Sequence, residues 1–336
     1  MPHNVRTNFH ISPLAPEIVV EQGDALTTSS DVLALKFADG LYGVDRAACH
    51  ALTSRVPDIS DYLPSAGNFL VTPSRDAIAA RDVLFVGVGP LPFFGYAQIR
   101  AFARRVLEVL ASEKPNTAHV TLTLHGPGYG LDESEAFTAE LAGLREALEK
   151  EAYPRALRRI TILEANVQRA ERLGLLMEQL RPSVVRRTSP GRTTRSMFAD
   201  ELSSAGNESN KKPHIFVAMP FAEEMDDIFY YGIQGAVKAA GYLCERADLS
   251  SFTGDVMDWV KNRIASASLV IADLSDANPN VYLEVGYAWG CGRPTVLIVK
   301  DTQQLKFDVR GQRCLPYRKI RDLEASLRAE LLNLKI

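Results

Sequence analysis

The sequence predicts an α/β protein of two domains, each built on a largely parallel sheet, and three observations carry that reading. The chain has 336 residues, more than one hydrophobic core usually organises at ~100–200 residues per domain. Its strand-like segments are near-continuous runs of Val, Ile and Leu rather than alternating ones, the pattern of strands covered on both faces, and segments of helical periodicity separate them. Between about Arg181 and Lys212 the periodicity gives way to RPSVVRRTSPGRTTRSMFADELSSAGNESNKK, rich in Ser, Thr, Arg, Gly and Asn.

The domains are therefore expected at 1–180 and 213–336, joined by a flexible linker over 181–212. In the first, EIVV, DVLALKF, DVLFVGVG, HVTLTLHG and RITILEA read as buried strands, and AQIRAFARRVLEVLASE and SEAFTAELAGLREALEKE as helices. The first domain is thus expected to be an α/β sandwich. In the second, strands HIFVAMP, YLCER, SLVIADL and PTVLIVK alternate with helices DDIFYYGIQGAVKAAG, GDVMDWVKNRIASA and PNVYLEVGYAWG. IRDLEASLRAELLNL closes the chain as a last helix. This alternation is that of a doubly wound parallel sheet, which binds ligands outside the carboxyl ends of its strands.

Composition narrows the function classes. With 46% hydrophobic and 24% charged residues and a mean hydropathy of -0.07, the chain is neither fibrous nor disordered. No run approaches the ~18 apolar residues of a membrane span, and the first residues lack the apolar core of a secretory signal. A cytoplasmic protein without a membrane partner is expected. A net charge of -3 supplies no field that would gather nucleic acid. Cys49, Cys244, Cys291 and Cys314 form no C-x-x-C pair, so reduced thiols are expected, and no metal site.

The candidate chemistry centres on NPNVYLEVGYAWG. Asn278 suits an N-cap and Pro279 a first helical turn. Glu284 stands among Val281, Leu283, Val285, Tyr287, Ala288 and Trp289, so the helix is expected to be apolar on nearly every side. A carboxylate there is costly unless paired, and such groups are candidates for function. The structural alternative is a Glu284 satisfied by backbone or tyrosine hydrogen bonds.

HIFVAMPF, then MDD with Tyr230 and Tyr231, then CERAD, then SLVIADLSDANPNVYLEVGYA, in that order over Pro213–Ile336, resembles the nucleoside 2-deoxyribosyltransferase-like group, related to TIR domains that split NAD. LKFDVRGQRCLPY and the helix after it resemble that group's last strand and helix. The resemblance implies a flavodoxin-like sheet and N-glycosidic bond cleavage, with Glu284 as the catalytic carboxylate and Asp273, at the end of the I-A-D-L strand, as its companion. It also implies that Met219, Pro220 and Phe221 close over the base or nicotinamide, that Arg246 and Asp248 lie at the cleft, and that Asn278, Asn280 and Tyr282 face substrate. NAD enters as substrate, and no cofactor is implied. Where the transferases carry Asp-Gly-Thr before the helix, this chain has Asn278, Pro279 and Asn280, which favours the TIR-like branch.

Cleavage of an N-glycosidic bond passes through an oxocarbenium-like state that one carboxylate can stabilise. Cationic nicotinamide leaves without protonation, whereas a neutral nucleoside needs a general acid, a role open to Asp273 or Asp248. By analogy with prokaryotic TIR-like effectors, the resemblance further implies antiviral defence by NAD depletion, and self-association. Two alternatives stay open: a nucleoside or nucleotide N-glycosidase or deoxyribosyltransferase, and a non-catalytic nucleotide receptor.

In the first domain EQGDAL follows the opening strand, and HVTLTLHGPGYGLDESEAF delivers a strand into a glycine-rich junction and a helix, where backbone N–H groups can approach a phosphate. This order resembles macro domains, the ADP-ribose binders, over about residues 15 to 180. The resemblance implies that Asp24 contacts adenine and that Gly126, Gly128, Tyr129 and Gly130 hold phosphate and ribose of an ADP-ribose-like or other nucleotide signal. KFADGLYGVDRAACH, with Asp39, Gly40 and Gly43, lacks the asparagine of catalytic macro domains, so binding rather than hydrolysis is implied. The plainer alternative is that these glycines only make tight turns. His50, His119 and His125 are expected to be structural.

Overall fold

The computed structural model describes residues 7–9, 16–180, 202–220, 222–246, 255–306, 309 and 311–334. They divide into two compact units, Met1–His125 with Ser134–Ser209, and Gly126–Glu133 with Asn210–Ile336.

The first unit is a seven-stranded sheet flanked by helices. Its strands are β1 (Thr7–Phe9), β2 (Glu17–Gln22), β3 (Val32–Phe37), β4 (Phe69–Pro73), β5 (Asp82–Gly87), β6 (His119–Thr123) and β7 (Arg159–Glu164), in the order β1-β2-β7-β6-β3-β5-β4. The five inner strands are parallel and are the five apolar runs of the sequence. The two edge strands, β1 and β4, run antiparallel to their neighbours. The helices are α1 (Gly43–Thr53), α2 (Tyr96–Glu113), α3 (Glu133–Glu149) and α4 (Val167–Leu180). On α2 the buried residues Ile99, Phe102, Ala103, Val106, Leu107 and Leu110 recur at three- and four-residue spacing, the stripe that docks a helix on a sheet.

Residues 202–209 were expected inside the flexible linker, yet they belong to this unit. Leu202, Ala205 and Ser209 are buried, and the Arg100 guanidinium donates to the carbonyl oxygens of Ser203 at 2.7 Å and Ala205 at 2.8 Å. Polar composition concealed a segment whose few apolar side chains are covered and whose carbonyls are taken by one arginine. The rest of the expected linker, up to residue 201, lies outside the described residues.

The second unit is a five-stranded sheet of β8 (His214–Ala218), β9 (Leu243–Glu245), β10 (Leu269–Asp273), β11 (Thr295–Val299) and β12 (Cys314–Pro316), all parallel, in the order β12-β11-β10-β8-β9. This is the flavodoxin-type order, and it reverses between β8 and β10, the switch point outside which doubly wound sheets bind their ligands. Between β8 and β9 the chain forms a π-helical stretch, Ile228–Gln234, that runs into α5 (Gly235–Ala239). Gly232 lies in that stretch, where an added Cβ would stand 2.8 Å from Cδ2 of Leu323. The last helix therefore packs against bare backbone there. The remaining helices are α6 (Asp255–Ser266), α7 (Pro279–Gly290) and α8 (Ile320–Leu334). Among the described residues no helix is long and apolar enough to cross a membrane.

Candidate functional sites at the strand ends

In the second unit β10 ends at Asp273 and the chain turns into α7, capped by Asn278, whose side-chain oxygen accepts the Asn280 N–H at 2.9 Å. Glu284 is 7% exposed, and none of the described residues donates a hydrogen bond to its carboxylate. Desolvation pushes its pKa up to about 8. A buried acid without a partner keeps its proton until something cationic arrives. The helix itself departs from the expectation of burial all round. Val281, Glu284, Val285 and Ala288 are buried, while Asn280, Leu283, Gly286 and Trp289 form an exposed stripe, Leu283 at 62%.

Asp273 differs from Glu284 in its partners. It is fully enclosed, its Oδ1 accepts the Ser275 N–H at 2.9 Å, and its Oδ2 accepts the Tyr317 hydroxyl at 2.6 Å. Burial raises its pKa, opposed by those hydrogen bonds and by Lys300. Expected as a catalytic companion, it is a strand-end hub instead: both oxygens are held, and no solvent reaches it.

The other expected substrate contacts scatter. Met219 is part of the hydrophobic core, and Pro220 is half-buried. Arg246, expected to face substrate, is buried and donates to Asp226 Oδ1 and to the carbonyl of Pro220, each at 3.1 Å. Asn278 serves the helix cap, Asn280 is exposed, and the half-buried Tyr282 accepts the Lys306 N–H at 3.3 Å on its hydroxyl. Phe221 and Asp248 lie outside the described residues. Among the described residues no three His, Cys, Asp or Glu side chains gather as a metal cage.

In the first unit a cavity of about 350 Å³ opens beyond the carboxyl ends of β2, β6 and β7, lined by Asp24, Val44, Thr123, Leu163 and Glu164 among others. Asp24 is exposed. Its Oδ1 accepts the Leu26 N–H at 2.7 Å, an Asx turn that fixes the carboxylate, and its Oδ2 accepts nothing from the described residues. That oxygen is an acceptor for a ligand N–H. Glu164 is engaged by the Asn166 N–H at 2.8 Å.

Residues 126–133 belong to the second unit, and none of them lines the cavity. Gly126 and Gly130, at φ 111° and 112°, use the backbone freedom that only glycine has. The turn they make consumes its own amides. The N–H groups of Tyr129 and Leu131 donate to the Gly126 carbonyl, and that of Gly130 to the Pro127 carbonyl. Tyr129 is buried, its ring 6.0 Å edge-on to that of Trp259, and Gly128 faces open space.

Sequence reading passed over a buried ion pair near the same strand ends. Lys36 of β3 and Asp45 of α1 are both almost fully enclosed and bonded to each other, with the Lys36 ammonium 5.8 Å from the Phe94 ring centroid. His125, buried between Phe94 and Phe102, has its pKa held well below the usual value by burial and by Lys36. A lone lysine in the otherwise apolar run DVLALKF was the available signal, because a buried ammonium demands a partner.

No family model and no curated protein matches the sequence. Among solved structures, 53% of this chain is similar to the Oceanobacillus iheyensis macrodomain with MES bound, covering 97% of that chain at 16% identity and a TM-score of 0.42. The same macrodomain with ADP aligns at 16% identity and a TM-score of 0.40, over 53% of this chain and 98% of that one. The Trypanosoma brucei macrodomain in complex with ADP aligns at 18% identity and 0.40, over 47% of this chain and 68% of that one.

Proposed function

We propose that the second unit is an N-glycosidase that cleaves NAD to release nicotinamide, with Glu284 as its catalytic carboxylate, and that the first unit binds a nucleotide of the ADP-ribose type. The observation that carries the reading is Glu284, a buried carboxylate without a hydrogen-bond partner among the described residues, on the helix that follows the strand at the switch point of a doubly wound sheet. A cationic substrate suits it. Positive charge on the bound nicotinamide ring lowers the Glu284 pKa, so that its proton passes to solvent as the substrate binds. The carboxylate that remains stabilises the oxocarbenium as nicotinamide leaves with the glycosidic electron pair, and water then adds to the sugar with loss of a proton to solvent. Cationic nicotinamide departs without protonation, so this reading asks for no second carboxylate as a general acid.

The free Oδ2 of Asp24 supports recognition of an amine-bearing base in the first unit. Ligand-controlled self-association and a role in antiviral defence by NAD depletion extend the same reading, on the strength of the TIR-like motif order. The test is incubation of the full chain with NAD, with and without ADP-ribose, following nicotinamide release by chromatography. Glu284→Gln keeps the volume and removes the charge, so release should fall on the order of a hundredfold or more. Near-wild-type turnover by a folded variant overturns the assignment.

A further inference from the structure

We propose that Arg246 is a positioning residue of the second unit's crevice: it latches the turn after β8 and does not touch substrate. The inference rests on the reading of Glu284 above. Arg246 follows the last residue of β9, and its side chain is held on two edges and one face. Nη1 donates to Asp226 Oδ1 at 3.1 Å, Nη2 donates to the Pro220 carbonyl at 3.1 Å, and Cζ stands 4.9 Å from the Phe229 ring centroid. Two of the guanidinium's N–H groups and one of its faces are committed in this way, and the residue is 5% exposed, so it offers little surface to a substrate phosphate.

The three partners sit on successive parts of one excursion of the chain. Pro220 begins the turn out of β8, Asp226 lies ahead of the π-helical stretch, and Phe229 lies within it. Pro220 has no N–H, so its carbonyl is the only backbone group by which that residue can be hydrogen-bonded. β8 and β10 flank the switch point, and Glu284 lies on the helix that follows β10, so this turn and the Glu284 helix leave the sheet from the two strands beside that point.

The latch is itself anchored from behind. The Arg246 N–H donates to the Gly130 carbonyl at 3.1 Å, and two residues earlier the Cys244 N–H donates to Asp132 Oδ2 at 3.0 Å. Gly130 and Asp132 thereby occupy the outer edge of β9, whose inner edge pairs with β8. A three-residue edge strand would otherwise present those amides unpaired. With both edges taken, the direction in which Arg246 leaves β9 is set, and this assigns the glycine-rich turn a structural duty in the second unit.

The experiment compares Arg246→Met and Arg246→Lys in the full chain on NAD and on nicotinamide riboside, which has the same cationic leaving group and no phosphate. Amide hydrogen exchange over residues 222–226 is measured on the same proteins. A latch predicts that Arg246→Met lowers kcat on both substrates by the same factor, about tenfold or more, with KM within about twofold. Exchange over 222–226 should rise about tenfold, and lysine, lacking the fork, should not restore it. A rise in KM for NAD alone, rescued by lysine and with exchange unchanged, would make Arg246 a phosphate ligand and overturn the proposal.

If the wild-type chain releases no nicotinamide from either substrate, the functional reading fails. The exchange measurement still judges the latch: faster exchange in Arg246→Met supports it, and unchanged exchange overturns it. Should Arg246→Met not fold, Asp226→Asn, which weakens one edge of the fork, is expected to move exchange in the same direction, and no movement overturns the latch.

Discussion

The stability of the second unit should report whether Glu284 keeps its proton at neutral pH. Burial moves its pKa from an ordinary 4.5 to about 8. Because the folded value lies above the unfolded one, the native state holds a proton that the unfolded chain has released throughout that window. Stability therefore falls as pH rises from about 4.5 through about 8, opposite to the behaviour of a salt-bridged carboxylate. At ~1.36 kcal/mol per pKa unit the whole effect approaches ~5 kcal/mol. Integrating the linkage for one site gives a fall of ~2 kcal/mol between about pH 6.5 and about pH 8.5.

Glu284→Gln cannot ionise, so it should lose this part of the slope and become the more stable protein at the alkaline end. Urea unfolding followed by tryptophan fluorescence is the suitable assay, since Trp259 and Trp289 are the chain's two tryptophans and both lie in the second unit. Glu140, buried in the first unit and also raised to about 8, is common to both proteins and cancels in the difference, as do the histidines. Parallel stability curves for the two proteins over that range would mean that Glu284 is ionised in the native state as in the unfolded one, and the reasoning from its uncompensated burial would fall.

Lys36→Met should destabilise the first unit by ~3–5 kcal/mol, because it strands the Asp45 carboxylate in the interior. The double variant Lys36→Met, Asp45→Leu should recover most of that loss in thermal unfolding, and a double variant no better than the single one would contradict it. Asp24→Ala removes both the acceptor offered to a ligand and the Asx turn on Leu26, so calorimetry should show adenine-nucleotide affinity lowered about ten- to a hundredfold. Asp24→Asn, which keeps a turn acceptor, should fall between; equal affinity in all three proteins would take Asp24 out of the site.

The inner strands were legible in the sequence because a strand covered on both faces is written as a near-continuous apolar run, and all five of the first sheet are. The edges were not. β4 is five residues ending in Pro73 and β1 is three residues, and a short strand with one neighbour needs neither a run nor an alternation to exist. α7 was misread for a related reason: Leu283 and Trp289 are apolar but lie on its exposed stripe, and hydropathy cannot distinguish a covered face from a bare one. Arg246 pairs with Asp226, twenty positions earlier and beyond a strand and a helix, a contact that no local spacing announces.

The same limit governs the two carboxylates that motif order set side by side. Asp273 and Glu284 are both buried, and desolvation lifts both. Yet a carboxylate's chemistry follows from what donates to it, and those donors come from distant parts of the chain. Asp273 meets Tyr317, 44 residues away, and the backbone of Ser275, so its lone pairs are engaged before any ligand arrives. Glu284 meets none among the described residues. Its desolvation goes uncompensated, and an uncompensated acid is the one whose ionisation a cationic substrate can drive. Sequence could show that the region holds two carboxylates; only the register that carries Tyr317 past the end of β12 to the end of β10 separates the acid whose oxygens are engaged from the one without a donor among the described residues.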